Sequence, residues 1–164
     1  MKNQFYFLLI LIILSGCEKS PKIDDLKEFC RYTVDCYIRN DAKSEIDLHM
    51  TKKETIRMLE NVSLPEAMKR DRIVKVKDAE KEGYFSQKKL IERFYEVRSK
   101  EDESFWREVK IEGFENMETN KWFGYQMAKP ILILKYGDNT FKFKAGELIK
   151  SDNGWRIIEG SSWE

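Results

Sequence analysis

The spacing of the hydrophobic residues changes partway along this chain, and this change constrains the fold more than any other feature. Between residue 23 and about residue 100, outside the segment 67–82, they recur every three or four positions, which places them on one face of each predicted helix. From about Phe105 onward they alternate with polar residues, as at Val109 and Ile111, which is the spacing of a half-buried strand. Helices followed by strands predict an α+β fold, with N-terminal helices packed on a C-terminal antiparallel sheet.

Capping signals mark where the predicted helices begin. The first helix starts near Ile23 and ends near Asn40, and Thr51 with Glu54 forms a capping box that opens the second. Further helix starts are predicted at Ser63, which precedes Pro65, and at Ser86. The segment 67–82 is left open, because its apolar residues suit a short strand as well as a helix.

Turn residues divide the second part of the chain into strands. Residues 122–127 alternate as one aromatic strand, and Pro130 precedes a short apolar run over 131–134. Gly137-Asp138-Asn139 predicts a turn, and Ser151-Asp152-Asn153-Gly154 predicts a hairpin. Gly146 is a candidate β-bulge.

The N-terminus has the order of a secretory signal peptide. Lys2 supplies a positive charge, residues 5–14 are apolar, and small residues follow. As a helix, this apolar run would reach about 15 Å, whereas the hydrocarbon core of a bilayer is about 30 Å thick. A permanent transmembrane helix is therefore not expected.

Leu14-Ser15-Gly16-Cys17 resembles the lipobox of bacterial lipoproteins. This resemblance implies that residues 1–16 are cleaved and that the Cys17 thiolate carries the lipid. Residues 17–22 would then form a lipidated tether of at most about 17 Å, and residues 23–164 a single α+β domain. A plain signal peptide with an incidental Cys17 thiol, or a buried N-terminal helix, is the alternative.

The final hairpin carries a second resemblance. Asp152 to Ile158, read with the helices before it, resembles the end of NTF2-like domains, which implies a curved sheet wrapped as a cone over residues 23–160. A cystatin-like sheet around one helix is the nearest alternative.

Charge balance bears on the partner. Without Lys2, the expected mature chain has 29 basic and 29 acidic residues, so nucleic acid, which requires a basic surplus, is not an expected partner. A basic group on residues 69–77 faces either solvent or anionic lipid headgroups. Its members are Lys69, Arg70, Arg72, Lys75 and Lys77.

Few residues in the sequence suggest a disulfide, a metal site or a catalytic site. Cys30 and Cys36 are about 9 Å apart along one helix, beyond disulfide reach, and are expected as free core thiols. His49 is the only histidine and lies between helices, so a metal site, a cofactor and a catalytic site are not expected.

Aromatic residues concentrate in the strand region, where 15 of 21 fall within residues 83–164. They either fill the core or line an apolar pocket of the kind that NTF2-like folds enclose. The candidate pocket residues are Phe123, Tyr125, Phe141, Phe143 and Trp155.

These observations predict an exported, membrane-anchored envelope lipoprotein, at the outer membrane or cell surface rather than the inner membrane. We expect it to act as a non-catalytic binding module whose partner is an envelope protein or an apolar small ligand. One alternative is a cone-fold isomerase or hydrolase with a buried carboxylate as base. Another is a structural envelope component with an exposed apolar patch.

Overall fold

A computed structural model describes residues 21–164, in which six helices precede eight strands. The predicted signal peptide 1–16, the lipobox and Cys17 lie outside the described residues. The helices are α1 (Leu26–Ile38), α2 (Ala42–Ile46), α3 (Lys52–Asn61), α4 (Glu66–Lys81), α5 (Gln87–Arg98) and α6 (Glu103–Glu108). The strands are β1 (Lys110–Glu115), β2 (Asn120–Trp122), β3 (Tyr125–Ala128), β4 (Ile131–Tyr136), β5 (Asn139–Lys144), β6 (Glu147–Ser151), β7 (Gly154–Glu159) and β8 (Ser162–Trp163). The predicted α+β class is confirmed.

The segment 67–82, for which the sequence left strand and helix undecided, is a helix. It ends before Gly83, whose φ of +81° favours glycine. Within α4, Lys75 forms an ion pair with Asp71 at 2.9 Å, one helical turn away. The predicted cap at Ser63 is wrong, because the N-cap position falls on Pro65, which makes no side-chain capping bond.

The switch to strands comes later than predicted. Asp102 accepts a hydrogen bond from the backbone N–H of Phe105 at 2.8 Å and starts α6. Phe105 and Trp106 therefore belong to a helix, from which their side chains are buried in the core. The first strand begins at Lys110. The single strand predicted over 122–127 is also wrong: it is a hairpin, turning at Phe123 and Gly124 with φ of +48° and +90°.

The strands form two antiparallel sheets rather than the one predicted. Sheet one has the order β1-β4-β5-β8, and sheet two has the order β2-β3-β6-β7. Among the described residues, the chain passes from one sheet to the other four times: between β1 and β2, between β3 and β4, between β5 and β6, and between β7 and β8. The last three of these crossings meet and form a corner between the two sheets.

Hydrogen bonds and one glycine shape this corner. The N–H of Ala145 donates to the Pro130 carbonyl at 3.2 Å, and the Ser161 hydroxyl donates to the Ala145 carbonyl at 3.3 Å. Gly146 has a φ of +109°, and a Cβ there would lie 2.3 Å from the Glu159 carbonyl oxygen. Only glycine fits this close approach without a shift of the backbone.

The main core lies between the helices and both sheets. Tyr37 of α1 stacks on Phe94 of α5, with ring centroids 4.5 Å apart, and meets Phe143 of β5 edge-on at 5.2 Å. Cys30 and Cys36 are buried and free, as predicted. The hairpin predicted at Ser151–Gly154 and the turn predicted at Gly137 are confirmed by the pairing of β6 with β7 and of β4 with β5.

Candidate functional site

The five candidate pocket residues do not meet in one cavity. Phe143 and Trp155 are fully buried in the main core, with exposed fractions of 0% and 2%. Phe141 is half-buried at the edge of that core. Tyr125 belongs to a separate cluster, and Phe123 is 38% exposed at the β2–β3 turn.

Strand register explains this separation. Phe141 and Phe143 lie two residues apart on β5 and share the face of sheet one that meets the helices. Tyr125 lies on the same face of sheet two as Met127 and Ile149, which points away from the main core. Alternation identifies residues that share a face, as Phe141 and Phe143 do, but it does not tell which layer that face meets.

A groove lies between the C-terminal half of α5 and the β5–β8 edge of sheet one. Its volume is about 610 Å³, within the roughly 300–1,000 Å³ range of small-molecule sites. Phe141 is the one candidate pocket residue among its lining side chains. The lining residues are Glu96, Val97, Lys100, Glu101, Thr140, Phe141, Lys142, Ser162, Trp163 and Glu164.

The groove has an apolar floor and a charged rim. Trp163 contacts Phe141 at a centroid distance of 6.4 Å, and its indole N–H donates to the Val97 carbonyl at 2.9 Å. On the rim, Lys142 forms an ion pair with Glu115 at 2.9 Å. Because the Trp163 donor is already used, the floor offers apolar contact and the rim offers charges of both signs.

The outer face of sheet two carries a second, smaller apolar cluster. Met58 of α3 packs with Met50 on the buried Ile149 of β6. The half-buried residues around them are Trp122, Tyr125, Met127 and Ile158. Helix α3 thus covers part of this face and leaves the rest half-exposed.

Helix α4 flanks this cluster but buries none of its own residues. The Lys69 ammonium donates to the Glu60 carbonyl of α3 at 3.0 Å. The Arg72 guanidinium lies over the ring of Trp122 at 5.7 Å and over the ring of Phe123 at 5.2 Å. Polar and cation–π contacts therefore hold this helix, with little apolar burial.

The first described residues are bound to the β6–β7 hairpin. The backbone N–H of Trp155 donates to the Ile23 carbonyl at 2.9 Å, and its indole N–H donates to the Asp24 carbonyl at 3.1 Å. The Arg156 guanidinium donates to the Pro21 carbonyl at 3.2 Å. The chain therefore reaches α1 along this hairpin.

A buried titratable cluster lies at the end of α2. The Tyr37 hydroxyl donates to a Glu45 carboxylate oxygen at 3.4 Å, and the His49 Nε2 lies 3.2 Å from the same oxygen. Burial, followed by the nearby Glu45 charge, raises the pKa of Tyr37 well above its ordinary value. Sequence reasoning missed Glu45, although its spacing of four residues from His49 was a readable signal.

This cluster does not border the two cavities described among residues 21–164. The groove is lined by α5, β5 and β8, and a small cavity of about 30 Å³ lies between α3 and the β6–β7 turn. Glu45 and His49 line neither of them. Within residues 21–164, no three His, Cys, Asp or Glu side chains are grouped to hold a metal ion.

Comparisons with protein-family models, with curated proteins and with solved structures gave no match to this chain. Within the described residues, no helix is long and apolar enough to cross a membrane.

Proposed function

We propose that this chain is a membrane-anchored envelope lipoprotein whose α+β part is a non-catalytic binding module. The observation that carries the binding role is the groove between α5 and the β5–β8 edge. Its floor of Phe141, Trp163 and Val97 suits an apolar group, and its charged rim suits a polar partner chain. The proposed occupant is an envelope protein or an apolar small ligand.

Two features support the anchored arrangement. Cys17 ends a lipobox-like sequence, and Pro21, four residues later, is held by Arg156. Four extended residues reach about 14 Å, so the β6–β7 hairpin would stand next to the bilayer. The groove lies on sheet one, beyond the corner from that hairpin, and would remain accessible to a partner.

We further propose that the fold is an NTF2-like cone. The corner formed by three of the four crossings supports it, because two sheets joined at a corner around one core with the helices can act as one curved sheet. A cystatin-like arrangement, with the sheet wrapped around one helix, remains the alternative. Helices α1, α5 and α6 all contribute buried residues to the main core, which favours the cone.

The enzyme alternative has weaker support. An isomerase or hydrolase requires a carboxylate that meets the substrate. Glu45 is a buried carboxylate, but it is bound to Tyr37 and His49 and lines neither described cavity. A binding role at the groove is therefore the better supported function.

Anchoring is tested by detergent-phase partition of the wild type and Cys17→Ala, with intact mass on each. We expect the wild type alone to enter the detergent phase and to lack residues 1–16, with added mass of two or three acyl chains. Equal partition of both proteins without added mass would overturn the anchoring proposal.

Groove binding is tested with a photo-crosslinking residue at Thr140, in cells that make the full chain. The matched control carries the same residue at Lys110, which is exposed on the opposite edge strand of sheet one. We expect a discrete adduct from position 140 that Phe141→Lys abolishes. Identical adducts from both positions, or adducts insensitive to Phe141→Lys, would contradict the proposal.

A further inference from the structure

We propose that the exposed side of α4 is a docking surface for anionic lipid headgroups. We call it the α4 face and define it by Arg70, Val74 and Lys77. The inference rests on the proposed anchoring through Cys17, and it adds a second membrane contact made by the folded part.

Helical spacing brings cations and an apolar side chain together on this face. Arg70, Val74 and Lys77 are separated by four and three residues, so they form one stripe along the helix, which Lys81 continues. Val74 is 53% exposed and lies one helical turn from both Arg70 and Lys77. Exposed apolar residues flanked by cations are the composition of helices that lie at a membrane surface.

The packing of α4 leaves this face open within the described residues. None of the residues of α4 is buried, and its half-buried side is the one that carries Lys69, Arg72 and Val76. That side meets α3 and the β2–β3 turn through the Lys69 and Arg72 contacts. The stripe of Arg70, Val74 and Lys77 lies on the opposite side of the helix and faces outward.

Charge on the helix favours an anionic surface. Helix α4 carries six basic and four acidic residues. Asp71 and Asp78 are neutralised locally, because Lys75 and Lys81 lie 2.9 and 2.8 Å from them. A positive face on a protein tethered close to a bilayer is attracted to anionic headgroups within about a Debye length.

The position at which the N-terminal chain enters the fold favours a bilayer as the partner of the α4 face. Arg156, which binds Pro21, is the cross-strand partner of Ile149 on the outer face of sheet two. Helix α3 covers this same face, and α4 packs beside it. With Cys17 only four residues before Pro21, a lipid anchor would hold the α3–α4 side of the molecule toward the membrane.

The test uses the mature lipidated protein, reconstituted into vesicles, with a single introduced thiol at Val74→Cys. Burial raises the pKa of both Cys30 and Cys36 to about 12, so an environment-sensitive dye labels the introduced thiol selectively. The control carries Asp138→Cys, which is exposed in the β4–β5 turn of sheet one and lies outside the groove lining. Vesicles contain phosphatidylcholine alone or with phosphatidylglycerol.

We expect the dye at position 74 to shift to shorter wavelength in phosphatidylglycerol vesicles and the dye at position 138 to remain unchanged. The shift falls as salt is raised. It falls also when Arg70→Glu and Lys77→Glu are combined, but not with the matched pair Lys110→Glu and Lys135→Glu. Equal emission at positions 74 and 138 in vesicles that carry the protein would overturn the lipid docking of the α4 face but not the anchoring through Cys17.

Two other results are informative. If the chain lacks acyl mass and does not float with vesicles, the anchoring proposal and the docking that rests on it both fail. If the dye at position 74 shifts without vesicles as protein concentration rises, a second copy covers the α4 face, and lipid docking is overturned.

Discussion

The Arg156 guanidinium on β7 and the Glu54 carboxylate on α3 form an ion pair, with Nε and Oε1 3.4 Å apart. Glu54 also completes the capping box with Thr51 and accepts a hydrogen bond from the Asn153 side chain at 2.8 Å. Because Arg156 also holds the Pro21 carbonyl, this pair joins α3, sheet two and the entry of the N-terminal chain.

Removing the Glu54 charge should destabilise the fold. Burial alone would raise the pKa of Glu54, but hydrogen bonds from Thr51 and Asn153, together with the Arg156 charge, lower it below its ordinary value of 4.5. We expect Glu54→Gln to lower the free energy of unfolding at pH 7 by about 2 kcal/mol. Urea titration measures this loss.

The same carboxylate predicts a pH dependence. Its folded-state pKa is lowered, so its stabilisation is fully present above the ordinary value of 4.5 and is lost as the pH falls through the folded-state pKa. The difference between wild type and Glu54→Gln should therefore shrink below pH 4.5. Glu112→Gln, which removes an exposed pair with Lys135, should cost less than about 0.5 kcal/mol. A pH-independent difference would contradict the assignment.

Gly146→Ala should disrupt the corner between the sheets. A Cβ at this position would lie 2.3 Å from the Glu159 carbonyl oxygen, and the backbone has a φ of +109°. We expect a loss of about 3–4 kcal/mol by thermal or urea unfolding, from strain and overpacking together. Gly137→Ala is the matched control: its φ is +57° with open space around it, and it should cost about 1–2 kcal/mol. Equal losses would argue against the close approach at the corner.

Cys30 and Cys36 should resist thiol reagents in the folded protein. Desolvation by burial raises the pKa of each thiol to about 12. At pH 8 only about one thiol in 10,000 would then be a thiolate, which is the reactive form. Intact mass after maleimide treatment should show no adduct on either cysteine until denaturant is added. Rapid modification without denaturant would show that the core around α1 opens readily.

Arg98→Lys should loosen the contact among three helices. The Arg98 guanidinium donates to the Tyr37 carbonyl at 2.9 Å and to Glu103 at 2.8 Å, while its own carbonyl accepts from the Trp106 indole at 2.9 Å. Lysine cannot reproduce the forked geometry, so we expect a loss of about 2 kcal/mol in urea unfolding. Arg107→Lys, on the exposed side of α6, should change stability by less than about 0.5 kcal/mol. Similar losses at both positions would contradict this account.

Sequence reasoning succeeded where the determining interactions are local. The capping box at Thr51, the Ser151–Gly154 hairpin and the burial of Cys30 follow from neighbours within a few residues. It failed at Phe105, where an aspartate cap three residues earlier starts one more helical turn. It also read 122–127 as one strand, because alternation does not reveal a turn that needs positive φ at Phe123 and Gly124.

The amino-acid sequence alone determined the α+β class, the order of helices before strands and the free thiols, because spacing and capping act over one or two turns of chain. Only the tertiary structure decided that the strands divide into two sheets, that Phe143 is buried in the core, and that Phe123 is exposed. These outcomes depend on which layers meet across the corner at Gly146. The contacts between these layers join residues far apart in the chain, so the local sequence pattern does not predict their energies.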